Sequence, residues 1–443
     1  MRTFTSKTLF YVTAFLLFGW LNIHATDDGL ITKQITITLD EAGTLPGKIG
    51  STKKFKISNL KIVGKINGTD VAYIREMAGS DSYGKPTTGK LEFLDLSDAQ
   101  IVKGGNFYFY YNGTYYNTNN DIISGSFLDG CKTLTSITLP SNISSIGDYA
   151  FCNCSNLSDI TLPSSVTSIG IYAFCNCKKI TEFTIPFGIS KIDNYTFAGC
   201  SGLANITIPS SISSINFLAF SGCSNLTAIS IPSSVTEIGP YAFQNCSNLT
   251  SISIPTSIAE IGDGAFEGCI NLSKTNLPPH IKYIGFRLFS NCNSLINVNI
   301  PSTVTSIGEQ AFYGCSRLTS IDIPSNVTSI GEKAFWDCSS LTSVYVNWQN
   351  PISISNNIFS TVDDKCILYV PNGTYDNYWL SYWGDYFNNI VEYDATGIDN
   401  ITTSGDAKKI SRYTVNGLRL DKPAKGLNIV KYSDGSVKKV VVQ

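Results

Sequence analysis

The chain has 443 residues, and its 32 lysines and arginines nearly balance 34 aspartates and glutamates, giving a formal net charge of -2. That balance excludes the basic footprint of a nucleic-acid binder, and two histidines in the whole chain leave little for histidine-dependent catalysis. Thirteen cysteines raise the questions of core, disulfide and metal instead.

Residues 1–25 read as a secretory signal peptide: Arg2 and Lys7 precede an apolar run over 9–23, and Ala25 marks a small-residue cleavage site. Thr13, Gly19 and Asn22 interrupt the run and no basic stop-transfer flank follows, which argues against a membrane anchor. With no cysteine near the cleavage point, an N-terminal lipid anchor is not expected either. Losing Arg2 and Lys7 takes the charge from -2 to -4.

Residues 26–120 form the predicted N-terminal capping region. Segments 31–39 (ITKQITITL) and 55–66 (FKISNLKIVGKI) alternate as strands, and 70–78 reads as a short helix with Thr69 or Asp70 as N-cap and Gly79 as its stop. Segment 91–101 (LEFLDLSDAQI) is a further strand. In 104–120 (GGNFYFYYNGTYYNTNN), Asn112-Gly113 predicts a hairpin turn. Two roles are open for its aromatic rings, a binding patch or packing on the cap, and packing is the preferred reading.

Residues 121–346 repeat with a period of 23. Ten cysteines from Cys131 to Cys338 stand 23 apart without insertion or deletion, and the columns read C-x-x-L-x-x-I-x-I-P-x-x-V-x-x-I-G-x-x-A-F-x-x. The L-x-x-I-x-I run ends in the period-2 alternation of a strand with one buried face. A proline column (Pro140 to Pro324) ends each strand, because proline cannot donate to a ladder. The column Gly147, Gly170, Asp193, Asn216, Gly239, Gly262, Gly285, Gly308 and Gly331 holds only residues that tolerate positive φ, so a left-handed turn is expected there in every repeat. A phenylalanine column (Phe151 to Phe335) supplies the large hydrophobe opposite the strand. One 23-residue unit buries too little apolar surface to offset its own ordering entropy, so stability must come from stacking between coils and from caps at both ends.

Past residue 346 the period fails, with Asn347 where proline is due. Residues 347–395 hold a strand candidate at 366–370 and an aromatic segment at 375–387 that includes Trp379 and Trp383; they read as a C-terminal cap, with sugar binding by exposed aromatics as the alternative. Residues 396–443 open with a polar linker and continue as short alternating strands punctuated by Asn416-Gly417, Gly426 and Asp434-Gly435, which predict a small β-sandwich tail.

The unit L-x-x-I-x-I-P-x-x-V-x-x-I-G-x-x-A-F-x-x-C, as in LTSISIPTSIAEIGDGAFEGC at 249–269, resembles the BspA-like leucine-rich repeats of surface proteins from Bacteroidetes and some mucosal protists. The resemblance spans about half the chain. It implies a β-rich solenoid, a leucine-rich-repeat horseshoe with parallel strands on its concave face, and a role in adhesion or host interaction. The tail, with N-G, K-G-L-x-I-V and K-K-V-V-V, resembles a type IX secretion sorting domain. That likeness implies passage through secretion machinery to the outer-membrane surface or the extracellular space.

Catalytic chemistry is sparse. Outside the signal segment only His280 remains, in a loop after Pro278-Pro279, and neither HExxH, a Walker loop nor a strand-to-helix GxGxxG is present. The cysteine column reads as a buried apolar ladder; Cys152 and Cys175, one column away in adjacent coils, are the disulfide pair to test first. No metal and no cofactor are expected. What remains is surface. The side chains flanking the central isoleucine of each strand face the concave side, and they nominate Asp159, Glu182, Asn205, Lys274, Asn276, Asn297, Asn299, Asp322 and Tyr345 as ligand-binding candidates. This nearly uncharged face is either a broad recognition surface or a hydroxyl ladder that stabilises strands. The expectation is an exported, monomeric, non-enzymatic protein that binds a host matrix or cell-surface protein, other bacteria or a glycan, with a structural or glycan-binding surface component as the alternative.

Overall fold

The computed structural model describes residues 29–359, 365–393, 409–414, 419–420, 426–432 and 437–442. The signal-peptide reading lies outside the described residues.

The architecture is a parallel β-solenoid. Three strands, β1 (Ile35–Leu39), β2 (Asn59–Ile66) and β3 (Phe93–Ile101), lie parallel in the order β1-β2-β3, and β3 continues into the first repeat strands, Ser136–Thr138 and Asp159–Thr161. From there each coil repeats one path. A short strand carries the central isoleucine, proline ends it, and a second strand of two residues such as Ser145–Ile146 pairs with its copy in the next coil. A wide turn then carries the phenylalanine. The pairing has a register of 23: Glu182 opposes Asn205, Ala228 opposes Ser251 and Ser214 opposes Glu237. At the far end, Ser320–Ile323, Ser343–Val346, Ile367–Pro371 and Asn389–Tyr393 form one parallel sheet.

The core is built from columns. The phenylalanines from Phe151 to Phe335 are fully buried, and their rings stack with centroids 5.3 to 5.8 Å apart; Phe359 adds one more ring 5.2 Å from Phe335. From Cys154 onward each column thiol points inward and donates to a carbonyl of the coil before it, as Cys177 does to Phe151 at 3.1 Å and Cys246 to Phe220 at 3.3 Å. Hydroxyls bind coils together in the same way. Ser165, Ser211, Ser234 and Ser257 each donate to a backbone carbonyl of the preceding coil at 2.7 Å, which satisfies acceptors that a short strand leaves open.

The left-handed turns fall elsewhere than the glycine column. None of Gly147, Gly170, Gly239, Gly262, Gly285, Gly308 and Gly331 has positive φ, and neither do Asp193 and Asn216. Positive φ occurs two residues on, at Tyr149, Tyr172, Tyr195, Leu218 and Tyr241, and again just before each column cysteine, as at Asn153, Gly199 and Asn245. The glycine column exists for closeness instead. A Cβ on Gly147 would lie 2.6 Å from the backbone nitrogen of Gly125, and one on Gly239 would lie 2.8 Å from the carbonyl carbon of Asn216. Where Asp193 and Asn216 replace glycine they bond to each other, Asn216 Nδ2 donating to Asp193 Oδ1 at 3.2 Å.

At the N-terminal end, helix α1 (Leu45–Ile49) was not foreseen, because five residues are too few for a periodic signal. Helix α2 (Gly68–Met77) begins earlier than expected. Its N-cap is Asn67, whose side chain accepts from Thr69 N, while Asp70 closes the capping box from the third helical position. Asp70 is fully buried and also accepts from Gly43 N at 2.6 Å and Leu45 N at 3.0 Å, so one carboxylate fixes both helices. The hairpin forms as β4 (Gly104–Tyr111) and β5 (Thr114–Thr118), with Asn112 and Gly113 at φ 46° and 84°. Tyr108 and Phe109 are buried against the cap, whereas Tyr111 and Tyr115 remain exposed.

Arg75 on α2 is fully buried. Its guanidinium donates to the carbonyls of Ser126 and Asp129, both at 2.9 Å, and of Phe127 and Asp81, and to Ser80 Oγ, beneath the Phe109 ring. At the other end Trp383 is buried between Phe359 and Trp348, and Trp348 Nε1 donates to Val327 O at 2.8 Å. In the tail, Lys409–Thr414, Gly426–Tyr432 and Val437–Val442 form one antiparallel sheet. The second sheet that a sandwich requires is not among the described residues.

Candidate binding surface

Alternation along each repeat strand turns the central side chain inward, with Ile137 and Ile252 buried, and its two neighbours outward. Asp159, Glu182, Asn205, Lys274, Asn276, Asn297 and Asn299 are all exposed. Parallel register sets Glu182 beside Asn205 and Ser251 beside Lys274, so polar tips recur at roughly 4.8 Å steps across the face. At its N-terminal end Ser136 Oγ donates to Asp159 Oδ2 at 2.9 Å.

Asp322 and Tyr345 separate from this group. Asp322 is partly buried, accepts from Asn347 Nδ2 at 3.1 Å, and burial pushes its carboxyl above the usual range, against the effect of that bond. Tyr345 stacks on Tyr369 at 4.4 Å and meets the edge of Tyr393 at 5.8 Å. Both residues serve the C-terminal packing. The sheet also thins near its middle. Thr275 occupies the inward position held by Ile252 in the preceding coil and is buried with its hydroxyl unpartnered; the strand there is only Lys274–Thr275, and none forms at 297–299.

An aromatic stripe escaped the sequence reading. Tyr149, Tyr172 and Tyr195 stack at 4.7 and 4.1 Å, Phe217 meets Tyr195 edge-on at 5.2 Å, and Tyr241 follows at 6.1 Å, all half-buried at the surface. Their signal was available, since four tyrosines recur two places after the glycine column. A separate groove of about 310 Å³ lies in the C-terminal segment, after α3 (Tyr375–Trp379), between Pro351, Ser353, Trp379, Tyr382 and Asp385; Trp379 and Tyr382 are about half exposed.

His280 sits exposed in its loop. Among the described residues no three His, Cys, Asp or Glu side chains are grouped to hold a metal ion, and no helix is long and apolar enough to cross a membrane. The column thiols are buried, and burial pushes their pKa values up, to about 11 at Cys131 and about 12 at Cys269.

The family described as a BspA type leucine rich repeat region matches residues 120–250 and 236–364, in six copies. No curated protein matches the chain. Among solved structures, a leucine-rich repeat protein from Bacteroides ovatus is 24% identical over 76% of this chain and 91% of its own, with a TM-score of 0.44. A leucine rich cell surface protein from Faecalibacterium prausnitzii is 25% identical over 56% of this chain and 86% of its own, at 0.33. The pneumococcal vaccine antigen PcpA is 16% identical over 83% and 91%, at 0.48.

Proposed function

Because the chain belongs to the BspA-type leucine-rich-repeat family, we propose that it is exported to the cell surface and acts as an adhesin-like binding scaffold, not an enzyme, whose ligand is a host matrix protein, a host cell-surface protein or a protein of other bacteria. The observation that carries this is the strand face. Glu182, Asn205, Lys274, Asn276, Asn297 and Asn299 all stand exposed, Glu182 beside Asn205 in parallel register, while the inter-coil carbonyls are bonded by other hydroxyls, such as Ser165 and Ser234. The exposed row is therefore free to recognise a ligand rather than spent on holding coils together. Residues 26–120 and 347–395 cap the array in this reading, and residues 396–443 act as a type IX sorting tail.

The test is binding of the protein to immobilised matrix proteins and to a glycan array, beside a variant with Asp159, Glu182, Asn205 and Lys274 changed to Ala. Saturable binding to a protein that the variant loses supports the reading; equal binding by both removes the strand face from it. One observation favours a second reading, glycan recognition. The groove at Trp379 and Tyr382 combines an exposed aromatic surface with the Asp385 carboxylate and serine hydroxyls, a chemistry suited to a sugar ring. Array binding lost in Trp379→Ala and kept in the strand-face variant would select it.

A further inference from the structure

The position two residues before each column cysteine carries Asp129, Cys152, Cys175, Ala198 and Ser221 in successive coils, so cysteine occurs there in two neighbours. Their environment differs from that of the column. Column thiols are fully buried and donate to backbone carbonyls, from Cys177 onward those of phenylalanine, as Cys200 does to Phe174 at 3.0 Å. Cys152 Sγ accepts from Asn153 Nδ2 at 3.3 Å instead, with Cys175 one coil on, and Cys175 is partly open to solvent while Cys152 is 5% exposed. Asn153 N donates to Cys175 O at 2.8 Å, which sets the two residues side by side in the stacked turns of adjacent coils. In those turns the Tyr149 and Tyr172 rings lie 4.7 Å apart and the Phe151 and Phe174 rings 5.4 Å, a coil spacing inside the roughly 4.4 to 6.8 Å between Cα atoms that a disulfide spans.

We propose that Cys152 and Cys175 are a modification site, a dithiol that exchanges with small-molecule disulfides and closes into a cross-coil disulfide. The roles follow from access and burial. The neighbouring Cys152 thiol holds the more open Cys175 below the usual thiol range, whereas Cys175 and burial both raise the Cys152 pKa. Cys175 is thus the attacking thiolate and Cys152 the resolving thiol. The Cys175 sulfur attacks a disulfide RSSR, forming the mixed disulfide and releasing RS⁻. Cys152 loses its proton and attacks the Cys175 sulfur, the intramolecular bond forms, and a second RS⁻ leaves. The protein dithiol is oxidised by two electrons, RSSR is reduced to two thiols, and the protons leave with them. The closed bridge ties two coils that otherwise hold together through hydrogen bonds and packing.

The test treats the full chain with glutathione disulfide, blocks remaining thiols with iodoacetamide and maps the peptides by mass. Expected is one cross-linked peptide joining Cys152 to Cys175, with the column cysteines unmodified until the protein is denatured. Cys152→Ser should trap glutathione on Cys175, and Cys175→Ser should take up several-fold less. Serine already stands in this column at Ser221 and Ser290, so both variants fit the space. Bridges scattered among the column cysteines, a mixed disulfide that never resolves in the wild type, or no linked peptide would each overturn the proposal. The wild-type map decides alone if a variant fails to fold.

Discussion

The Sγ of Cys177 donates to the carbonyl oxygen of Phe151 at 3.1 Å, and the same oxygen accepts the backbone N–H of Cys154 at 3.2 Å. Both lone pairs of a buried carbonyl are used, one within its own coil and one by the next. The relation recurs down the array, for example from Cys292 to Phe266 and from Cys338 to Phe312. Cysteine suits the site because it is small, apolar and a weak donor.

Replacing one column thiol should therefore cost more than its size suggests. Cys246→Ala removes the sulfur and leaves one lone pair of Phe220 O empty; we expect a loss of about 1 to 2 kcal/mol, read as a lower urea midpoint at unchanged m.

The same thiols make stability fall in alkali. The Cys269 thiol titrates at 9.0 ordinarily and at about 12 in the fold, because burial disfavours the thiolate. Its contribution is complete below pH 9.0. Above that the unfolded chain binds fewer protons than the native one, so stability declines as pH rises toward 12, by about 1.4 kcal/mol per pH unit for one thiol. Urea titrations at pH 7, 9 and 10 should show this decline, and Cys269→Ala should make it shallower by one thiol's share while the other column thiols keep theirs; an unchanged slope would count against the assignment. Buried tyrosines such as Tyr345 and Tyr378, pushed up by burial, act with the same sign in both proteins, so the difference isolates the thiol.

The two glycine-bearing columns should respond oppositely. Gly239→Ala drives a methyl against the backbone of Asn216 and Phe217 and should cost about 3 kcal/mol or more. Gly222 has φ 74°, and a Cβ there would make only ordinary contact, 3.6 Å from the Gly199 backbone, in a column where Asn153 and Asn176 bond to each other at 3.0 Å. Gly222→Asn should change stability by less than about 0.5 kcal/mol, with thermal melts of both variants as the measurement.

Arg75→Ala leaves the carbonyls of Ser126, Phe127 and Asp129 without their donor, and we expect a loss of about 3 to 5 kcal/mol. Arg75→Lys keeps the charge but not the five-donor fork, so it should recover less than half. Hydrogen exchange confined to α2 and the first repeat would show that the residue joins cap to array.

Thr275→Ile should stabilise the protein by about 1 to 2 kcal/mol, because it removes an unpartnered buried hydroxyl and restores the apolar column between Ile252 and Val298. A melting temperature unchanged or lowered would mean that the hydroxyl has a partner after all.

The sequence alone determined the period, the strand positions, the proline stops and the phenylalanine core. It could do so because in a solenoid the residue 23 places away is also the spatial neighbour, so one column of letters describes one line of contacts. The exposure of Glu182 and Asn205 followed from strand alternation in the same way. Tertiary structure decided what depends on the distance between coils or on partners outside the period. Glycine and a left-handed residue leave the same mark in a sequence, and only the approach of Gly147 to Gly125 shows that closeness is what selects glycine there. Asp322 and Tyr345 belong to the strand columns by spacing, yet Asn347, Tyr369 and Tyr393, which obey no repeat, draw them into packing. Arg75 lies outside the repeats, where no column describes its contacts, and it becomes the buried link to the array because four carbonyls from two loops converge where its side chain ends.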